Sequence, residues 1–183
     1  MTERALLAGG CFWCMEQPFA KLEGVLSVKP GYIGGEVSDP SYEQVCSGRT
    51  GHTEAVEVQF DPDRISYAEI LEVFWRQIDP TDVGGQFADR GSQYRTGIYP
   101  IDAEQQKIAE DSKRKLAESG LFAVPIATEI VPAGPFYPAE EYHREYYRKN
   151  PLRYQLYRQG SGRERYLDEV WGGERVGRVI AVS

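Results

Sequence analysis

The sequence predicts an α/β (α+β) fold: a two-layer sandwich in which helices pack on a mixed sheet, with a ferredoxin-like split βαβ core and a long irregular C-terminal tail. Three observations predict it. Strand-like and helix-like segments follow one another in the order β-α-β-turn-β-α-β, with a further helix and strand behind. Helix starts and stops carry recognisable punctuation in Ser, Asp, Gly and Pro. Beyond Asn150-Pro151 the apolar periodicity is lost.

The first element, residues 4–8 (Arg4-Ala5-Leu6-Leu7-Ala8), is apolar enough for a short buried strand and is stopped by Gly9-Gly10. A helix-like segment follows, with Phe12, Met15, Phe19 and Leu22 near helical spacing. Proline is tolerated only in a first turn or at a kink. The helix is therefore expected to start near Met15 or to bend at Pro18, and either choice leaves Cys11 at or just before its N-terminus. Val25–Tyr32 predicts a second strand, the Gly- and Pro-rich stretch 34–40 a turn, and residues 41–46 a short helical turn. Val56-Glu57-Val58-Gln59-Phe60 alternates as a half-buried strand does. Ser66-Tyr67-Ala68-Glu69 has the form of a capping box ahead of an apolar stripe at Ile70, Leu71, Phe74 and Ile78. Residues 79–93 predict a loop, 96–99 a short strand, 102–119 a helix closed by Gly120, 127–131 a strand, and 140–149 a Tyr-rich amphipathic helix. With no repeat or linker, residues 1–183 predict one domain, and 160–183 a tail.

Composition narrows the function classes. The chain has 183 residues, 41% of them hydrophobic and 27% charged, which is an ordinary globular balance. No apolar run approaches the roughly 18 residues of a spanning helix, and the N-terminus lacks the apolar core of a secretory signal. The expectation is a cytoplasmic protein with no membrane partner. The net charge is −7, and the residues before 140 carry 21 acidic against 12 basic side chains. That sign opposes the basic stripe a nucleic acid would need.

The three cysteines are Cys11, Cys14 and Cys46. An odd number without an export signal argues against a structural disulfide framework. A thiol is a useful nucleophile as its thiolate, and a helix N-terminus lowers its pKa by offering free N–H groups. Gly9-Gly10 allows a tight turn that exposes the Cys11 sulfur, and Cys-x-x-Cys spacing across a first turn can close into a disulfide. A zinc site would have to draw on Cys46, His52 and His143, which lack paired spacing, so no metal is expected. His52-Thr53-Glu54 matches half of a zinc-deaminase signature, but the cysteine pair lies upstream of it and Gly10 stands where Pro belongs. A thioredoxin-like dithiol oxidoreductase is the serious rival. Phe12-Trp13, between the cysteines, distinguishes this chain from a generic dithiol, because two aromatics beside a reactive sulfur can wall a slot for a sulfur-methyl group.

Gly10-Cys11-Phe12-Trp13 resembles the active-site signature of the A-type peptide methionine sulfoxide reductases. Residues 31–35, 42–54, 89–95 and 136–143 resemble further blocks of that family, in order and at similar spacing through about the first 155 residues.

The resemblance implies a reductase for methionine S-sulfoxide, free or in proteins, with no cofactor. Cys11 would attack the sulfoxide sulfur, and Glu54, kept protonated by burial, would supply the proton. Tyr42 and Tyr94 would donate hydrogen bonds to the sulfoxide oxygen, Asp89 would shape the site, and Phe12 and Trp13 would hold the methyl group. Cys11 would then be a sulfenic acid, resolved by a second thiol to a disulfide that thioredoxin or a similar dithiol protein clears. Many members keep resolving cysteines in a Gly-rich tail, and residues 154–163 here contain none. That leaves Cys14, Cys46 or an external thiol. Some members carry the same Cys-Phe-Trp-Cys, and Cys14 is the expected resolver, in an exposed turn; Cys46 is expected to be a buried small hydrophobe. His52 and His143 are expected to position loops.

Overall fold

A computed structural model describes residues 1–173. Strand β1 (Glu3–Gly9) feeds helix α1 (Phe12–Ala20), which returns through β2 (Val25–Ile33). A short helix α2 (Tyr42–Cys46) precedes β3 (Thr53–Phe60), and α3 (Tyr67–Trp75) follows it. A two-residue hairpin, β4 (Gly85–Gln86) and β5 (Asp89–Arg90), and a 3-10 turn at Ser92–Tyr94 lead to β6 (Thr96–Ile98). Then come α4 (Ala103–Glu118), β7 (Glu129–Ile130) and β8 (Tyr137–Pro138). A 3-10 turn at Glu141–His143 opens a helical C-terminal region, α5 (Tyr146–Lys149), α6 (Pro151–Gly160) and α7 (Arg163–Trp171).

The six-stranded sheet runs β7-β6-β1-β3-β2-β8, antiparallel throughout except between β6 and β7. Strand β3 lies between β1 and β2, the two strands that α1 connects, so the βαβ unit is split as the element order predicts. Alternation along the strands sorts the two faces. Ala5 and Leu7 of β1 and Val56, Val58 and Phe60 of β3 join Met15 and Phe19 of α1 and Ile70, Leu71 and Phe74 of α3 in the main core. Leu6, Ala8, Ala55, Ile33 and Tyr99 form a smaller cluster on the other face, packed by Ala133 and Phe136. The capping box at Ser66 is present, with the Ser66 hydroxyl accepting the Glu69 N–H and the Glu69 carboxylate accepting the Ser66 N–H. Such a cap contributes about 1 kcal/mol.

Of the two options open for α1, a start near Met15 is the one the structure rules out, and the segment 140–149 differs from expectation. Helix α1 begins at Phe12 and runs through Pro18. Pro18 has no N–H to give the Cys14 carbonyl, and that carbonyl instead accepts Nη1 of Arg158 at 3.0 Å, which offsets part of the roughly 3 kcal/mol an interior proline costs. The segment 140–149 is not one helix. Glu145 takes a left-handed conformation (φ 52°), and its N–H reaches the Glu16 carboxylate at 2.9 Å instead of a helical carbonyl.

The stretch after Asn150, read as irregular, carries two helices. Their anchors are Tyr154, Arg163 and Leu167, while Leu152 and Leu156 face outward. Buried Tyr and Arg in place of aliphatic residues leave no apolar stripe to detect. The remainder of the expected tail, 174–183, lies outside the described residues.

Candidate active site

The turn from β1 into α1 sets the site. Gly10 has φ +83°, and a Cβ there would sit 2.6 Å from Cβ of Gln86 and 3.0 Å from Nη2 of Arg163. Only glycine fits both the conformation and the space. Cys11 then occupies the N-cap of α1, as the spacing predicts, but the turn does not expose its sulfur as expected: the residue is buried, 7% exposed. Cys14, one turn on, is fully buried rather than in an exposed turn, because Tyr146 of α5 and Tyr154 of α6 close over it.

The two thiols are hydrogen bonded to each other. Burial pushes the Cys11 thiol well up, helped by the bond to Cys14 and by the carboxyls of Glu54 and Asp89. The helix N-terminus does not outweigh that desolvation. Cys14 moves the other way, to about 6, because it accepts the Cys11 hydrogen bond and feels the guanidinium groups of Arg163 and Arg158. The two thiols therefore titrate as a pair, with Cys11 the harder to ionise and Cys14 the easier.

Glu54 lies on β3 two residues before Val56, so the period of two places it on the same face, under the start of α1. It is 1% exposed, and its Oε2 accepts the Phe12 N–H at 3.0 Å. Burial raises its carboxyl pKa to about 8, Asp89 and Cys14 push the same way, and the Phe12 N–H opposes them. At neutral pH the group holds its proton. Tyr32, paired with Glu54 across β2 and β3, hydrogen-bonds Glu140 at 3.0 Å, and Glu140 also accepts the Tyr42 N–H at 3.1 Å.

Tyr42 opens α2 with its ring stacked on Phe12, centroids 6.5 Å apart, and its hydroxyl paired with the Cys46 thiol. Tyr94 closes the 3-10 turn after β5 and feels Glu54, Asp89 and Cys11. Burial first, then these neighbours, raises both phenol pKa values, so both remain neutral donors. Asp89 accepts the Tyr157 hydroxyl. Cys46 is only partly buried and bonded to Tyr42, not the sealed hydrophobe expected.

Phe12 is buried among Tyr32, Tyr42 and His143. The Trp13 indole lies flat on Tyr146 at 3.8 Å, a stack that contributes about 0.5–1.5 kcal/mol beyond area, and donates Nε1–H to Nδ1 of His143 at 3.0 Å. His52 accepts the Gly35 N–H on Nδ1 and reaches the Val37 carbonyl through Nε2, holding the Gly-rich loop. Among the described residues, no three His, Cys, Asp or Glu side chains gather as a metal ligand set.

Residues 3–175 match the family model described as peptide methionine sulfoxide reductase. The chain belongs to that family.

It is 58% identical over 170 residues to the peptide methionine sulfoxide reductase MsrA of Bacillus licheniformis, spanning 93% of this chain and 94% of the relative. Its fold is similar to the reduced form of Mxr1 from Saccharomyces cerevisiae, with a TM-score of 0.75 and 35% identity over 82% of this chain and 86% of that one. Mxr1 in complex with Trx2 is also similar, at TM-score 0.55 and 26% identity over 76% of this chain and 82% of that one. Among the described residues, no helix is long and apolar enough to cross a membrane.

Membership makes the chain an oxidoreductase that acts on methionine sulfoxide. Four contributors to its site escaped the sequence: Tyr146, Tyr157, Arg158 and Arg163. Tyr157, Arg158 and Arg163 come from α6 and α7, where no apolar stripe announces a helix, and Tyr146 from the segment expected to be a Tyr-rich amphipathic helix. The spacing of Tyr154 and Tyr157, three apart, was the one available hint.

Proposed function

We propose that Cys11 reduces methionine S-sulfoxide, free or in proteins, with Glu54 as the proton source and Cys14 as the resolving thiol. The observation that carries this reading is a fully buried carboxyl, its pKa raised by that burial, at the first turn of the helix that Cys11 caps. A dithiol exchanging disulfides has no use for it. A sulfoxide oxygen does, because it must gain a proton before the S–O bond can break.

Of the two cysteines only Cys11 keeps any exposed surface, and its proton has an acceptor in Cys14. As it moves there, the Cys11 sulfur attacks the sulfoxide sulfur, and Glu54 protonates the oxygen through the carboxyl oxygen not engaged by Phe12. Tyr42 and Tyr94 act as neutral donors to that oxygen, with Asp89 orienting the site through Tyr157. Phe12 and Trp13 bound the methyl slot. The hydroxyl then passes to Cys11 as the bond between Cys11 and the substrate sulfur breaks, giving the sulfenic acid, and methionine leaves with the electron pair of that sulfur–sulfur bond. Cys14 then gives up the proton it took from Cys11 to the departing hydroxide, which leaves as water, and its sulfur bonds Cys11 to form the disulfide. An external dithiol clears it. The yeast relative in complex with Trx2 supports a thioredoxin-type reductant, and the cytoplasm, where such dithiols are kept reduced, is the compartment that fits.

The test is one equivalent of methionyl sulfoxide, followed by intact and peptide mass spectrometry. The reading expects one methionine released per chain and a Cys11–Cys14 disulfide. Reduction of protein disulfides with no methionine formed would overturn it.

A further inference from the structure

Arg163 is 1% exposed, among the largest fully buried side chains of the protein. Its Nη1 donates to the Gln77 carbonyl and its Nη2 to the Gly9 carbonyl at 3.0 Å. Nη1 also lies 3.8 Å from the Met15 sulfur, and the guanidinium sits 4.7 Å over the Phe87 ring. Every one of these partners is neutral. Among the described residues no carboxylate pairs with it, whereas Arg158, its neighbour from α6, is bridged to Glu164. A buried cation that meets only dipoles is left without a counter-charge, and proteins rarely leave one so. Its contacts with Gly9 and Met15 place the guanidinium against the turn that carries the thiol pair, and of the cations that pull the Cys14 thiol down Arg163 comes first and Arg158 next. Arg158 reaches the same residue through the carbonyl that Pro18 leaves free.

We propose that Arg163, seconded by Arg158, is a positioning residue that holds Cys14 as a thiolate for resolving the Cys11 sulfenic acid. This rests on reading Cys14 as the resolving thiol. In that step the Cys14 thiolate attacks the Cys11 sulfur. The S–S bond forms as the S–O bond breaks, and hydroxide departs to be protonated as water, so Cys14 is oxidised and the sulfenic sulfur reduced without another reactant. Only the thiolate can attack, so the pKa of Cys14 sets the lower pH limit of this step. Helices α6 and α7 thus supply the charge that activates a thiol on α1, in a chain whose C-terminal region contributes no cysteine of its own.

The experiment follows disulfide formation after one equivalent of methionyl sulfoxide, with dimedone trapping the unresolved sulfenic acid, across a pH series. In the wild type the resolution rate should fall as pH drops and Cys14 takes up its proton, with a midpoint below that of a free thiol. Arg163→Met should move that midpoint up by about one unit or more, towards the roughly 8.5 of a free thiol. Arg158→Gln should move it the same way by less, and Arg163→Lys should restore the wild-type profile. A merely structural arginine would change stability or amplitude and leave the midpoint alone. If Arg163→Met does not fold, Arg158→Gln decides. Unshifted midpoints in the folded variants overturn the inference while leaving the Cys14 reading intact. A wild-type disulfide mapped to Cys11 and Cys46 overturns both, before any arginine variant is made.

Discussion

The Phe12 N–H donates to Oε2 of Glu54 at 3.0 Å, tying a buried carboxyl to the first free amide of the helix that Cys11 caps. One oxygen is engaged, and the other is left to carry the proton. Because Glu54 works as an acid, the first step should fade as pH rises through about 8, where the carboxyl ionises. Glu54→Gln keeps an acceptor for Phe12 and loses the acid. We expect single-turnover methionine release to slow by about 100-fold or more, without the fall near pH 8. A variant that kept the wild-type pH profile would remove Glu54 from the chemistry.

Glu54 also shows where the sequence stopped speaking. Val56–Phe60 was legible as a strand because its apolar residues alternate. Thr53 and Glu54 extend the strand with polar residues that are nonetheless buried, and burial of a charged residue type is set by what packs over it from elsewhere. Helix α1, by contrast, announced itself through Phe12, Met15 and Phe19, and Cys11 was placed at its start from spacing alone. The inner half of the site comes from α5 to α7. There Tyr and Arg replace the aliphatic residues that periodicity detects, and the helices are short. Their docking onto Cys14 is a tertiary event with no local signature.

Cys14→Ser should release one methionine per chain, more slowly because Cys11 has lost its proton acceptor, and then stall, because the sulfenic acid has lost the sulfur one turn away. The measurement is methionine released per enzyme, first with no reductant and then with a thioredoxin system. Cys46→Ser should cycle, since Cys46 is bonded to the Tyr42 hydroxyl and absent from the thiol pair. Undiminished thioredoxin-driven turnover of Cys14→Ser would return the resolving role to Cys46 or to an external thiol.

Tyr42→Phe and Tyr94→Phe each delete one neutral donor while leaving the ring in place. Removing a comparable donor costs roughly 100-fold in other enzymes, although two donors on one oxygen can cover for each other. We expect each single variant to slow methionine release by about 10-fold or more, and the double variant by more than either. The KM should change little, because the bond strengthens as charge builds on oxygen. A rise in KM at constant kcat would make the phenols ground-state binders only.

Glu16 extends this reasoning from chemistry to stability. Glu16 is a buried residue of α1, and its carboxylate accepts the N–H of Glu145, the left-handed residue that breaks segment 140–149 and lets His143 and Tyr146 both face Trp13. Burial raises its pKa to about 7; the Glu145 N–H, with Arg144 and Lys149, pulls it down, and the Glu145 carboxylate pushes it up. A carboxyl whose pKa is raised on folding binds its proton more tightly in the native state. Its contribution is fully present below the unfolded value of 4.5 and is lost as pH rises through about 7. Glu54 acts in the same direction, up to about 8. Wild-type stability should therefore decline between about pH 5 and about pH 8, against the usual trend for carboxylates paired with cations. Glu16→Gln has no proton to lose and should flatten part of that decline, read as the urea midpoint at the two ends of the range. Glu16→Ala leaves the Glu145 N–H without its acceptor and should cost about 1–3 kcal/mol at either pH, with a loss of the near-ultraviolet signal of the Trp13–Tyr146 stack. A wild-type midpoint that rises across the range would show that burial does not govern these two carboxyls.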